Sequence, residues 1–212
     1  MIDHLVITIG RELGSAGREI GFHLSRKLGI KCYDEELLAL AAKESGICEE
    51  LFEANDEKPN HSFLYNLVMD MNSFGYSNLD MPISQKVFLA QFNTIKNLAQ
   101  KESCIIVGRC ADYALENEEH MISIFIHGSL ETRTKRIMKK RQLSEDAAKN
   151  LIAKTDKKRA SYYNYYTNKK WGEAQSYTLS IDSGALGIEG TVELIYQFAL
   201  AHEKKLKNNK LD

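Results

Sequence analysis

Leu5-Val6-Ile7-Thr8-Ile9-Gly10-Arg11-Glu12-Leu13-Gly14-Ser15-Ala16-Gly17-Arg18-Glu19-Ile20 decides the fold. Residues 5–9 are β-rich and almost free of polar interruption, as expected of a central parallel strand buried on both faces. A glycine-rich loop follows. Ile20, His23, Leu24 and Leu28 then recur at helical spacing, and Gly29 supplies the stop. Glycines let such a loop wrap so that successive N–H groups face an anion, and the helix N-terminus adds partial positive charge. Gly10, Gly14, Ser15, Ala16, Gly17, Arg18 and Glu19 are thus the candidate phosphate-binding set, with Arg18 at the helix start reaching toward the terminal phosphates.

The loop departs from the Walker pattern GxxxxGK[ST]. Counted from Gly10, the second glycine falls on Ser15, Arg18 takes the lysine's role, and Glu19 stands where a magnesium-binding hydroxyl would be. No clean GxGxxG is present, which argues against a dinucleotide loop.

Working outward, short apolar strands are expected at Ile30–Tyr33, Cys104–Val107, Met121–Ile126 and Tyr177–Ile181. Helices are expected at Glu35–Lys43, Ser84–Gln100, Leu130 to about Trp171, and Thr191 to about His202. The Lys204–Asp212 tail is expected to fray. Strand and helix alternate, giving one domain of three α/β/α layers around a five-stranded parallel sheet. Ligands bind beyond the carboxyl ends of such strands. Those ends carry Gly10-Arg11, Tyr33-Asp34, Gly108-Arg109, His127-Gly128 and Asp182-Ser183. Between about 45 and 83 the pattern loosens into an insertion, in which Phe63, Leu64, Leu67, Val68 and Met71 suggest one short helix.

The 212 residues are 43% hydrophobic and 27% charged, with a formal net charge of −1. This near-balance argues against binding a nucleic-acid polymer. Four cysteines without a CxxC pair and six scattered histidines give neither a disulfide framework nor a zinc site. No stretch has the length of a membrane-spanning helix, so a cytoplasmic protein with no membrane partner is expected, either monomer or homodimer.

The run Ile7–Ile20, with Leu28-Gly29-Ile30 and Tyr33-Asp34, resembles the cytidylate-kinase-like family of P-loop nucleoside-monophosphate kinases. The likeness continues at 106–111, 125–133, 156–163 and 181–184, and is weakest over 45–82. The resemblance implies a kinase using ATP and Mg²⁺ on a nucleotide acceptor, with CMP or dCMP as the first expectation. It implies a core of 1–44, 84–130 and 175–204, an acceptor-binding insertion at about 45–83, and a helical LID at about 131–174. It also implies donor-phosphate contacts from Gly14 to Arg18, an acceptor side opened by Asp34, and Arg109 gripping the acceptor phosphate through its planar fork. Arg133, Arg136 and Arg159 are its LID cations, with Asp156 orienting a neighbouring arginine.

Each has a plainer counterpart. Arg109 could simply cap a strand end, and a charged helix is usually a solvated face. Tyr162, Tyr163, Tyr165, Tyr166 and Trp171 could stack on a base or pack the LID helix against the sheet. Glu19 could ligate Mg²⁺ or pair with Arg11 or Arg18. Two positions where the family carries Asp are Val107 and Cys110 here, with Asp112 close by. A nucleotide-binding regulator and a kinase of a non-nucleotide metabolite therefore stand as alternatives.

Overall fold

In a computed structural model, residues 4–55 and 81–209 are described. The chain runs β1 (Val6–Arg11), α1 (Gly17–Leu28), β2 (Lys31–Tyr33), α2 (Glu36–Ser45) and α3 (Glu49–Asn55). After the undescribed stretch come α4 (Ile83–Lys101), β3 (Cys104–Val107), α5 (Ala111–Ala114) and β4 (Met121–His127). Next are α6 (Leu130–Arg141), α7 (Glu145–Thr167), a 3₁₀ turn (Ala174–Ser176), β5 (Leu179–Asp182) and α8 (Ser183–Asn209).

The sheet has five parallel strands in the order β2-β3-β1-β4-β5. β1 sits at its centre, with Ile7 opposite Ile105 on one side and Ile122 on the other. Successive side chains of a strand alternate between faces. Leu5, Ile7 and Ile9 accordingly pack under α1 and α8 with Ile20, Leu24 and Ile195. Val6 packs on the opposite face with Leu37, Ile95 and Ile106. Ile7 and Ile9 are fully buried, and each such side chain contributes about 1.5–3 kcal/mol through burial. Three α/β/α layers result, as expected from the sequence.

The boundaries show where local rules were overridden. β1 continues through Gly10 and Arg11 because both pair with β4. The long charged helix is two helices: Gln142 adopts a left-handed conformation, and Ser144 caps the second by accepting from the Ala147 N–H. α8 begins at Ser183, kinks at Gly187 (φ 67°), and stays helical to Asn209 instead of fraying after His202. A Glu203–Lys207 ion pair at 3.3 Å spans one of those last turns. Most of the 45–83 insertion, including the expected helix around Phe63–Met71, lies outside the described residues; α3 belongs to the part that is described.

Candidate active site

The loop leaves β1 where the Glu12 N–H donates to the Ile126 carbonyl at 3.0 Å. Gly14 (φ 82°) and Ala16 (φ 64°) then reverse the backbone. At Gly14 a Cβ would stand 2.8 Å from the Arg133 carbonyl oxygen, so glycine is required for both dihedral and space. α1 starts at Gly17 with no side-chain cap, and its first carbonyl-bonded amide is that of Ile20, donating to Ala16 at 2.9 Å. The N–H groups of Gly14, Ala16, Gly17, Arg18 and Glu19 have no acceptor among the described residues. Orphaned donors at an uncapped N-terminus are suited to holding an anion.

These amides border a cleft of about 750 Å³ lined also by Asp34, Glu35, Arg109, Arg136, Arg159 and the Lys139-Lys140-Arg141 run. Arg18 and Arg109 meet on one buried carboxylate. Asp34 Oδ2 receives Arg18 Nε at 2.8 Å, and its Oδ1 receives Arg109 Nη1 at 2.7 Å. Arg109 also donates to the Val107 carbonyl at 3.1 Å. It stands in a Gly108-Arg109-Cys110 turn whose residues all have positive φ. Gly108 supplies a φ of 80°, a conformation that side chains rarely adopt.

Arg18 points its fork at Glu35, donating at 2.9 and 3.3 Å. Nothing in the sequence flagged Glu35 beyond its place next to Asp34. Glu19 is exposed on the cleft wall, and the Arg18 guanidinium is engaged elsewhere.

The remaining expected cations divide into two groups. Arg136 and Arg159 border the cleft, and each also holds loop backbone: Arg136 donates to the Gly14 carbonyl at 3.3 Å, and Arg159 to the Arg11 carbonyl at 3.1 Å. Arg136 is anchored by Ser183 at 2.9 Å. Arg133 and Asp156 lie under the loop, off the cleft wall. Asp156 Oδ2 receives Arg133 Nη1 at 2.6 Å, and its Oδ1 receives the Leu13 N–H at 2.8 Å. Glu12 completes this group 3.2 Å from Arg133 Nε, accepting from the Gly128 N–H at 3.1 Å; burial pushes its carboxyl above the usual range.

Behind Arg109, Tyr162, Tyr163 and Tyr166 are buried with Phe88, Phe125 and Tyr177. Tyr166 stacks on Phe88 at 3.9 Å. These three tyrosines pack α7 against α4 and the sheet, the packing role of the two that the sequence left open. Asp112 is buried there and accepts from the Tyr163 hydroxyl at 2.6 Å; burial raises its pKa and that of Tyr163. The space enclosed by Arg109, Cys110, Asp112, Tyr163 and Trp171 is only about 20 Å³.

A parallel α/β sheet with an uncapped glycine loop at its carboxyl edge and a cation-lined cleft defines a P-loop kinase fold. Solved structures agree. Shikimate kinase from Bacteroides thetaiotaomicron superposes with a TM-score of 0.52 at 14% identity, over 92% of this chain and 97% of that one. Shikimate kinase from Acinetobacter baumannii, in complex with shikimate, gives 0.51 at 10% identity, over 94% and 95%. An uncharacterized protein from Eubacterium ventriosum ATCC 27560 is 30% identical, with a TM-score of 0.68 over 92% of this chain and 98% of its own. No curated protein matches the chain. The chain belongs to the cytidylate kinase-like family, whose sequence profile matches residues 6–185, and is a phosphotransferase of the kinase type. Among the described residues no helix is long and apolar enough to cross a membrane.

Proposed function

We infer that the protein transfers the γ-phosphoryl of ATP to the phosphate of a nucleoside monophosphate, with CMP or dCMP the first candidate. The supporting observation is that the unpaired loop amides and Arg109 open on one cleft, with Arg18 and Arg109 fixed on a shared carboxylate. An acceptor phosphate oxygen would attack the γ-phosphorus as its bond to the β-bridging oxygen breaks, releasing ADP. Little covalent chemistry is asked of the protein; positioning and charge neutralisation supply the acceleration. The loop amides and Arg18 hold the donor phosphates, and Arg109 holds the acceptor phosphate. Arg136, Arg159 and the Lys139–Arg141 run offset charge spreading over the transferring oxygens.

Among the described residues no three His, Cys, Asp or Glu side chains form a ready metal cluster. Mg²⁺ fits nonetheless, since it is commonly held by one or two carboxylates, water and substrate phosphates. Glu19, exposed beside the free amides, is the carboxylate available for it. The ion would supply further neutralisation of phosphate charge.

A second reading, a kinase of a non-nucleotide metabolite, is supported by the fold shared with two shikimate kinases, one of them solved in complex with shikimate. ADP release from ATP·Mg²⁺ across CMP, dCMP, other nucleoside monophosphates and acidic metabolites separates the two. Release with CMP or dCMP is expected. Release with a non-nucleotide alone moves the assignment to the second reading, and ATP binding without transfer to any acceptor leaves a nucleotide-binding regulator.

A further inference from the structure

The α6–α7 hairpin grips the phosphate loop by its backbone, through bonds that span 120 and 143 residues of chain. Leu13 is held at both ends: its N–H donates to Asp156 Oδ1 at 2.8 Å, and its carbonyl accepts from Arg133 Nη1 at 3.2 Å. Its side chain packs into the hairpin's own apolar centre with Ile137, Ala148 and Ile152. Arg133 is in turn fixed by Asp156, by the Gly128 carbonyl at 2.9 Å, and by Glu12. The approach is too close for any side chain, as the 2.8 Å from a Gly14 Cβ to the Arg133 carbonyl oxygen records.

One peptide unit links this grip to the anion site. The Leu13 carbonyl and the Gly14 N–H belong to the same planar trans amide, so they point in opposite directions. Pinning the carbonyl onto Arg133 aims the Gly14 N–H away from the hairpin, and that N–H has no acceptor among the described residues. We propose that Asp156 and Arg133 are positioning residues that set the amide directions of the phosphate loop, binding the hairpin's base to the loop as one body. This rests on reading Gly10–Glu19 as the donor-phosphate site. Closure over a nucleotide is then confined to the hairpin's far end, where Lys139, Lys140 and Arg141 face the cleft.

The test pairs amide hydrogen exchange with ATP·Mg²⁺ titration for the wild-type chain, Asp156→Ala and Asp156→Asn. In Asp156→Ala, the hydrogen-bonded loop amides of Leu13 and Ser15 should exchange about tenfold faster or more, and ATP should bind about tenfold more weakly, with β1 and α8 still protected. Asp156→Asn keeps an acceptor for the Leu13 N–H but no charge for Arg133, and should fall between. A folded Asp156→Ala with wild-type exchange at Leu13 and Ser15 and wild-type ATP affinity overturns the proposal. If Asp156→Ala does not fold, Arg133→Lys decides by the same two readouts, because a single ammonium cannot reproduce the fork. Failure of the wild-type chain to bind ATP would strike the donor-site reading alone; the exchange comparison would still decide whether the hairpin orders the loop.

Discussion

Asp34 and Arg109 form a 2.7 Å ion pair with side-chain exposures of 6% and 4%. The same carboxylate's other oxygen holds Arg18, whose side chain is 49% exposed. One acid thus carries a buried pair and a wet one, and the two should respond differently to mutation. Asp34→Ala removes the carboxylate that faces the buried Arg109 guanidinium and should cost about 3–5 kcal/mol of stability. Arg18→Ala should change stability by no more than about 1 kcal/mol, while abolishing ATP turnover. Urea denaturation with a parallel ADP-release assay checks both; equal unfolding midpoints, or surviving turnover in Arg18→Ala, would contradict this division.

Arg109→Lys tests the acceptor side. An ammonium can retain Asp34 but cannot also reach the Val107 carbonyl and two phosphate oxygens. The acceptor's kcat/KM should fall roughly 10- to 100-fold, the scale of one lost charged hydrogen bond. ATP affinity should persist. A fall in ATP affinity with acceptor kinetics intact would reverse the roles given to Arg18 and Arg109.

Gly14→Ala forces a Cβ against the Arg133 carbonyl at a φ of 82°. Strain of about 1–3 kcal/mol is expected there, and the loop must shift to relieve it. Calorimetric titration with ATP should show weakening of roughly tenfold or more. Unchanged affinity would mean that the donor phosphates do not touch this bend.

Burial raises the Asp112 pKa, partly offset by the Tyr163 hydroxyl. The native chain therefore holds this proton more tightly than the unfolded chain does. The contribution is fully present below the ordinary aspartate range and is lost as pH rises through the elevated native value. Asp112→Asn should flatten that decline and be at least as stable as wild type near neutrality. Urea midpoints from about pH 4 to pH 8 decide it; parallel profiles for the two proteins would show that Asp112 does not titrate in the fold.

The sheet was readable because β1 and β3 are apolar runs buried on both faces, a pattern that needs no knowledge of partners. The glycine loop was readable for a similar local reason, since its dihedrals demand glycine at Gly14. The hold that Arg133 and Asp156 have on the loop backbone was not readable. It depends on Leu13 and Gly128 as neighbours, and Asp156 meets Leu13 across 143 positions of chain, a distance over which no sequence pattern carries information. Glu35 and Glu12 were passed over because exposed or half-buried acids look alike until a guanidinium or amide is found opposite. The tyrosines of α7 kept two meanings in the sequence, and their packing role shows only once Phe88 and Tyr177 are found beside them. The break at Gln142 had no proline or glycine to announce it.

Trp171 is the chain's single tryptophan. It meets Phe125 edge-on at 5.2 Å and borders the same small space as Arg11, Arg109 and Arg159. All of the protein's indole emission therefore originates within reach of guanidiniums that also line the cleft. Ligand arrival can be followed by intrinsic fluorescence, with no label to perturb the loop and no second indole to dilute the signal.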